Sequence, residues 1–401
     1  MIRAILHITL REWKRILTRP DHCLVLLVMP AFLFFFYAYI YEKQQAEDLP
    51  VAIWDEDHSP VSRQITFLLE QTPSIHITHA VSSQAELEQL MQSQQITGAV
   101  HFPKNLEKDI KSRHPVKVSI FTNAASLVPG KLIYKDATTV IVTAGSGVNL
   151  QKFMKTGMTE EKAMALIMPV SLTTYPLYNP TYNYQHYLVP GLITVALQMM
   201  IIMVAVLLLN KEWSEGTMDE LRHMARNSAG NIIAGKTLAH LGVSWVNFVL
   251  ITGIIFPFFA LDHPGTTFHL FILFNFLALA CIGIGLMISA LAGDAMLALD
   301  VGLFYTSPAF VFSGFTFPRW GMPWYDQYYA NLMPYTPFLD AFFKVYFMEL
   351  PLRYAMPEVI KLLLFIGFTF FIAVFFLQLR LNKTVTHVIP LTAPGSENGG
   401  A

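Results

Sequence analysis

The feature that most constrains this chain is a set of long apolar runs. A helix needs about 20 consecutive apolar residues to cross a bilayer core. Residues 23–41, 188–209, 237–261, 268–291, 296–312 and 358–381 meet or approach that length. In lipid every backbone N–H and C=O must be paired inside the protein, so such runs fold as helices. Only 14% of the 401 residues are charged, against about 25% in soluble domains. The predicted fold class is an α-helical polytopic membrane protein with six transmembrane helices. An α/β extracytoplasmic domain is inserted between the first and second. A net charge of -1 offers no basic field for nucleic acid. Cys23 and Cys281 lie in apolar runs and are too few for a disulfide framework.

Residues 1–19 lack the apolar core and cleavage site of a signal peptide. They read as an amphipathic interfacial helix. Ile2, Ile5, Leu6, Leu10, Trp13, Ile16 and Leu17 fall on one face, and Arg3, His7, Arg11, Lys14 and Arg15 on the other. Such a helix lies in the headgroup plane. Arg19 and Pro20 end it before a first span over 22–42. Basic residues set orientation when counted over short loops and flanks. Arg3, Arg11, Lys14, Arg15 and Arg19 precede the first span. Lys211, Arg222, Arg226 and Lys236 separate the second and third, and Arg380 and Lys383 follow the last. Both termini are therefore expected in the cytoplasm, with 383–401 as a cytoplasmic tail and 43–187 outside. The loop between the third and fourth spans carries only Asp262 and His263.

The outside domain alternates strand-like and helix-like patterns. Strands are expected over 51–54, 74–78, 98–102, 116–121 and 170–176. Helices are expected over 61–70, after a cap at Ser82 or Ser83, and over 127–153. His58, His76, His79, His101 and His114 are scattered without metal-ligand spacing. No metal or catalytic site is expected on this chain.

Residues 230–237 read GNIIAGKT, a literal match to the phosphate-binding pattern G-x-x-x-x-G-K-[ST]. That motif works only between a buried strand and a helix. Here Met224 to Ala229 form no strand, and a membrane span follows. The expectation is a glycine turn at the membrane surface, with Lys236 snorkelling at the end of the third span.

The transmembrane region over 188–382 holds a charged loop at 210–236. It begins Asn210-Lys211-Glu212-Trp213-Ser214-Glu215-Gly216-Thr217-Met218-Asp219-Glu220-Leu221-Arg222. Trp213, Thr217, Leu221 and Met224 repeat at helical spacing, so one short amphipathic helix is expected. The run resembles the E-x-x-x-G-T-x-E-x-L motif of ABC-2 type permeases, the membrane subunits of ATP-binding-cassette exporters. Lys211 stands where Arg is common, and Ala225-Arg226 where T-P is usual. Asn179-Pro180 with Val189-Pro190-Gly191 resembles that family's entry to its second span. Ser313-Gly314-Phe315-Thr316-Phe317-Pro318, then Met322-Pro323 and Pro334, resembles its segment before the last span.

The resemblance implies roles. Glu212, Trp213, Glu215, Gly216, Thr217, Glu220 and Leu221 would couple to a separate cytoplasmic ATPase subunit, braced by the N-terminal helix. ATP and Mg would belong to that subunit, with no cofactor on this chain. Gly314, Phe315, Phe317, Pro318, Met322, Pro323 and Pro334 would belong to an outer gate. The prolines of 314–350 exclude one straight span and suggest a re-entrant pair of short helices. Partners would be membrane lipids, a second permease copy or paralogue and, for export across two membranes, a periplasmic adaptor. The setting would be a bacterial inner membrane and the cargo a drug, lipid or lipid-linked molecule. Gln198, Ser244, Asn247, Asn275 and Asp300 are polar residues inside the spans, and an intramembrane acid such as Asp300 is a candidate for function. The rival classes are a membrane receptor or assembly factor, which needs no coupling helix, and a membrane hydrolase, for which no convergent catalytic set exists.

Overall fold

The computed structural model describes residues 1–42, 46–112, 114–170, 175, 177–179, 183–261 and 264–386. The chain divides into two compact units, residues 43–183 and the remainder. The expected strand over 170–176 lies largely outside the described residues, as do Pro180, Asp262, His263 and the tail from 387.

The larger unit opens with α1 (Ile2–Thr18) and a shorter apolar helix, α2 (Leu24–Ile40). Pro30 supplies no N–H for the carbonyl of Leu26. The helix widens to a π-turn over Leu24–Val28, and Asn247 Nδ2 donates to the Leu26 carbonyl at 3.2 Å. A buried polar group in a span thus has a backbone reason to be there.

The smaller unit holds β1 (Leu49–Asp55), α3 (Pro60–Glu70), β2 (Ile75–Ala80), α4 (Gln84–Gln92), β3 (Gly98–Phe102), α5 (Leu106–Ser112), β4 (Ser119–Thr122), α6 (Leu127–Lys155) and α7 (Glu160–Ile167). Helices α5 and α7 had no counterpart in the sequence reading. The sheet order is β2-β1-β3-β4. Strand β1 pairs parallel with β2 and β3, and β4 pairs antiparallel with β3. Alternation along β1 sends Val51 and Ile53 into a core with Ile65, Leu69 and Ile133. It sends Ala52 to the other face, against Leu87 and Ile96. Ser59 caps α3, its hydroxyl accepting from Ser62 N–H at 3.1 Å, with Pro60 at the first helical position. Ser83 caps α4.

Among the described residues, five helices of the larger unit are long and apolar enough to cross a membrane: α8 (Tyr184–Ser214), α10 (Ala229–Phe258), α11 (Thr267–Leu291), α12 (Ala295–Phe312) and α15 (Leu352–Lys383). Between them stand α9 (Met218–Met224), α13 (Trp324–Asn331) and α14 (Tyr335–Phe342). Helix α11 is buried along most of its length and contacts α8, α10, α12 and α15, so it is the centre of the bundle.

Two expectations change here. The glycines of GNIIAGKT form no turn: α10 begins at Ala229, after Ser228 as cap, and the whole motif is helical. A helical N–H beyond the first turn is spent on its own carbonyl four residues back, so these residues cannot wrap a phosphate. The loop after α8 is not one helix either. It breaks at 215–217, where Gly216 takes φ +68°, a conformation that suits glycine.

Candidate functional site

The residues of the charged loop converge with α1 and the start of α10. Glu212 ends up with no exposed surface. Its Oε1 accepts from Arg11 at 3.0 Å, Arg15 at 2.7 Å and Lys236 at 2.8 Å; Oε2 accepts from Arg11 at 3.0 Å and from the Thr217 hydroxyl. Lys236 is equally buried and also donates to Glu12 Oε1 at 2.7 Å. Lys236 therefore does not snorkel. It is the inner cation of a network in which each buried charge has an opposite partner, the condition for keeping ions out of water. Glu215 extends the network outward, accepting from Arg15 and, at 2.7 Å, from Arg19. Arg11, Arg15 and Arg19 lie four residues apart, so one row of α1 meets both acids.

The sequence explains how α1 comes so close. A Cβ added to Gly235 would sit 2.6 Å from Ile8 Cγ2, and one on Gly242 2.6 Å from Trp13 Cζ2. The two glycines are a landing strip for α1, and Thr9 Oγ1 donates to the Gly235 carbonyl at 3.1 Å. The glycine and lysine that imitate a phosphate loop thus serve helix packing and ion pairing. The packed face of α1 is Ala4, Ile8, Glu12 and Ile16, while Ile2, Leu6, Leu10 and Leu17 are exposed. The single apolar face expected from the sequence is really two faces, one of them against protein.

The other loop residues are placed as follows. Trp213 lies under the Arg380 guanidinium, 3.6 Å from ring centroid to Cζ. Arg380 Nη1 also donates to the carbonyls of Ser289, Ala290 and Ala292 at 3.0–3.3 Å, capping the end of α11. Leu221 is buried beneath α9. Glu220 is exposed, 3.9 Å from Arg11. Trp213, Gly216, Met218, Asp219, Arg222 and Leu381 line a surface hollow of about 140 Å³. Sequence reasoning missed Glu12, Arg380 and the buried role of Lys236. The signal for Lys236 was Ser228 as a helix cap, which puts the helix start at Ala229, well ahead of the lysine.

The second motif group forms a separate cluster. Phe315 is buried and stacks on Tyr187 at 5.2 Å, and the Tyr187 hydroxyl donates to the Phe315 carbonyl at 2.8 Å. Any Cβ at Gly191 would overlap the Phe315 ring. The Tyr335 hydroxyl donates to the Gly191 carbonyl at 3.1 Å and lies 3.0 Å from Thr194 Oγ1. The V-P-G and S-G-F motifs, far apart in the chain, are thus two halves of one contact. Gly314 takes φ +97° ahead of it. Phe317, Pro318 and Pro323 are exposed, Met322 is half-buried, and Pro334 is buried at the start of α14.

A bundle of long apolar helices, with a braced ionic loop at one place and an aromatic contact at another, is the architecture of a multi-pass membrane protein. Residues 23–376 match the ABC-2 family transporter proteins, and the chain belongs to that family. It is 21% identical over 323 residues to a "Probable multidrug ABC transporter permease YbhS" of Escherichia coli (strain K12), covering 80% of this chain and 82% of that protein. It is also 21% identical over 339 residues to YbhR of the same strain, named in the same words, covering 84% and 88%. The chain is a transporter permease, in a family that forms the membrane subunit and not the ATPase.

Proposed function

We propose that this chain is the permease subunit of an ABC exporter in a bacterial inner membrane. It moves an amphipathic or hydrophobic substrate outward on ATP hydrolysed, with Mg, by a separate cytoplasmic subunit. In this reading α2 is the first of six spans, both termini are cytoplasmic, and residues 43–183 lie outside. The carrying observation is the network around Glu212. It fastens the end of α8 to α1 and α10, while Trp213 and Arg380 fasten it to α11 and α15. A push on α9 therefore reaches four spans as a rigid-body movement. The docking face is the exposed part: Asp219, Glu220 and the neighbouring hollow. The two acids meet basic groups of the ATPase.

The test separates docking from bracing. Glu220→Arg is expected to reduce co-purification of the ATPase subunit while the permease keeps its melting temperature. Glu212→Gln is expected to lower the melting temperature and reduce transport per ATP. Unchanged assembly and transport in both variants would refute the coupling role.

A further inference from the structure

Beside the ion network lies a cavity of about 360 Å³ that the coupling role does not use. Its walls are apolar: Val25 and Leu26 of α2, Met203, Val204 and Leu207 of α8, and Leu299 of α12. One end is ionic, with Glu12, Arg15, Lys211, Lys236 and His240. The volume falls in the range of ligand sites, about 300–1,000 Å³. The walls suit a hydrocarbon chain, and the ionic end decides which head that chain can carry.

The charges at that end are already matched. Lys236 is paired with Glu12 and Glu212, and Arg15 with Glu212 and Glu215. Lys211 and His240 are engaged as well. A further anion would meet Glu12, and a further cation would meet Lys236 and Arg15. Either would be a charge taken out of water with no counter-ion waiting, which costs more than it returns. The site thus excludes ions of both signs. It still offers one hydrogen bond. Glu12 is buried, and its Oε1 accepts from Lys236 at 2.7 Å and from Arg11 at 3.2 Å. Both of these bonds fall on one oxygen. Among the described residues nothing donates to Oε2, although an ionised carboxylate has acceptor sites on each oxygen. The group that fits is a donor without a charge.

We propose that this cavity binds one uncharged amphiphile with a hydroxyl head, a long-chain alcohol or monoacylglycerol. Its O–H donates to Glu12 Oε2 and its chain lies along Val25, Met203 and Leu299. A hydroxyl brings a donor and no charge, and a hydrogen bond to a carboxylate is among the stronger kinds. The site lies within a single protomer. It rests on the membrane location of the chain and not on the coupling role, so either can fail without the other.

The test is photolabelling of the purified full-length permease, without ATPase, in phosphatidylcholine nanodiscs. Three diazirine probes share one chain and differ in the head: dodecanol, dodecyl sulfate and dodecylammonium. Dodecanol should label the α2, α8 and α12 walls saturably, and excess unlabelled dodecanol should compete. The two ionic probes should label these walls about tenfold less, because each would bury an unmatched charge. Met203→Trp, which fills the slot, should abolish the saturable labelling. Leu238→Trp, at an exposed position of α10, should leave it unchanged. A neutral lipid extracted with the purified protein identifies a resident occupant, and uptake only on addition identifies a transient one; both support the site. Equal wall labelling by the three probes in the unmodified protein, or stronger labelling by either ionic one, would overturn the proposal, whatever the variants do.

Discussion

At the scale of single residues, Lys236 carries the most consequence. Removing one member of a buried pair leaves an uncompensated charge, at a cost of about 3–5 kcal/mol. Lys236→Met deprives both Glu12 and Glu212 of a partner. It should therefore lower the melting temperature more than Glu220→Gln, whose acid is exposed; equal shifts would mean that the network adds no stability. Glu215 answers to pH. The hydrogen bond from Arg19, helped by the charge of Arg15, holds its carboxyl below the usual range despite partial burial. A depressed folded value gives stabilisation that is present above the unfolded value and lost as pH falls through the folded one. The Glu215 tie to α1 should thus be constant through neutral pH and weaken only in acid, below the ordinary range of a glutamate carboxyl. Protease accessibility of α1 as a function of pH would show it, and Glu215→Gln should remove that acid transition.

At the scale of elements, the sequence was legible where periodicity is local. Apolar length announced the long helices, and Val189-Pro190-Gly191 and Ser313 to Pro318 announced two pieces of one contact. It was not legible where a residue's role depends on a partner two hundred positions away. Lys236 has an apolar neighbourhood in sequence, and nothing within a window shows that Glu12 and Glu212 close on it. Helix α1 failed for a related reason: a 100° wheel sorts apolar from charged, but not lipid from protein. Gly235 and Gly242 make that distinction in structure. Gly242→Val should push Trp13 away and loosen α1 from α10. Proteolysis of α1 should then speed up while the protein stays folded through α11. A proteolysis rate equal to the parent's would show that the glycines are not what permits the approach. The aromatic lock gives the matching case: Gly191→Leu should displace the Phe315 ring and lower the melting temperature, and adding Phe315→Ala should recover part of the loss.

At the scale of the whole molecule, the orientation rests on basic flanks, and cysteine labelling decides it. A cysteine at Ser126 should react with an impermeant maleimide in intact cells, and one at Ser228 only after permeabilisation; the reverse would invert the topology. The last question is what covers α12. Only Ala298, Gly302 and Thr306 of its first three turns are buried, while Met296, Leu297, Val301, Leu303 and Phe304 are exposed. Asp300 is exposed on the same helix. A carboxylate at the centre of a span costs roughly 2.5–3.5 kcal/mol by insertion scales, and Asp300 stands only five residues after Ala295, where α12 begins, so the exposed apolar row rather than the acid asks for a cover. In the proposed exporter a second permease copy would cover it, with two α12 helices facing each other. In a chain lacking Cys23 and Cys281, Phe304→Cys should form a covalent dimer under mild oxidation, whereas Val249→Cys, also exposed, on α10, should not. Efficient cross-linking at Val249 with none at Phe304 would move the interface to α10.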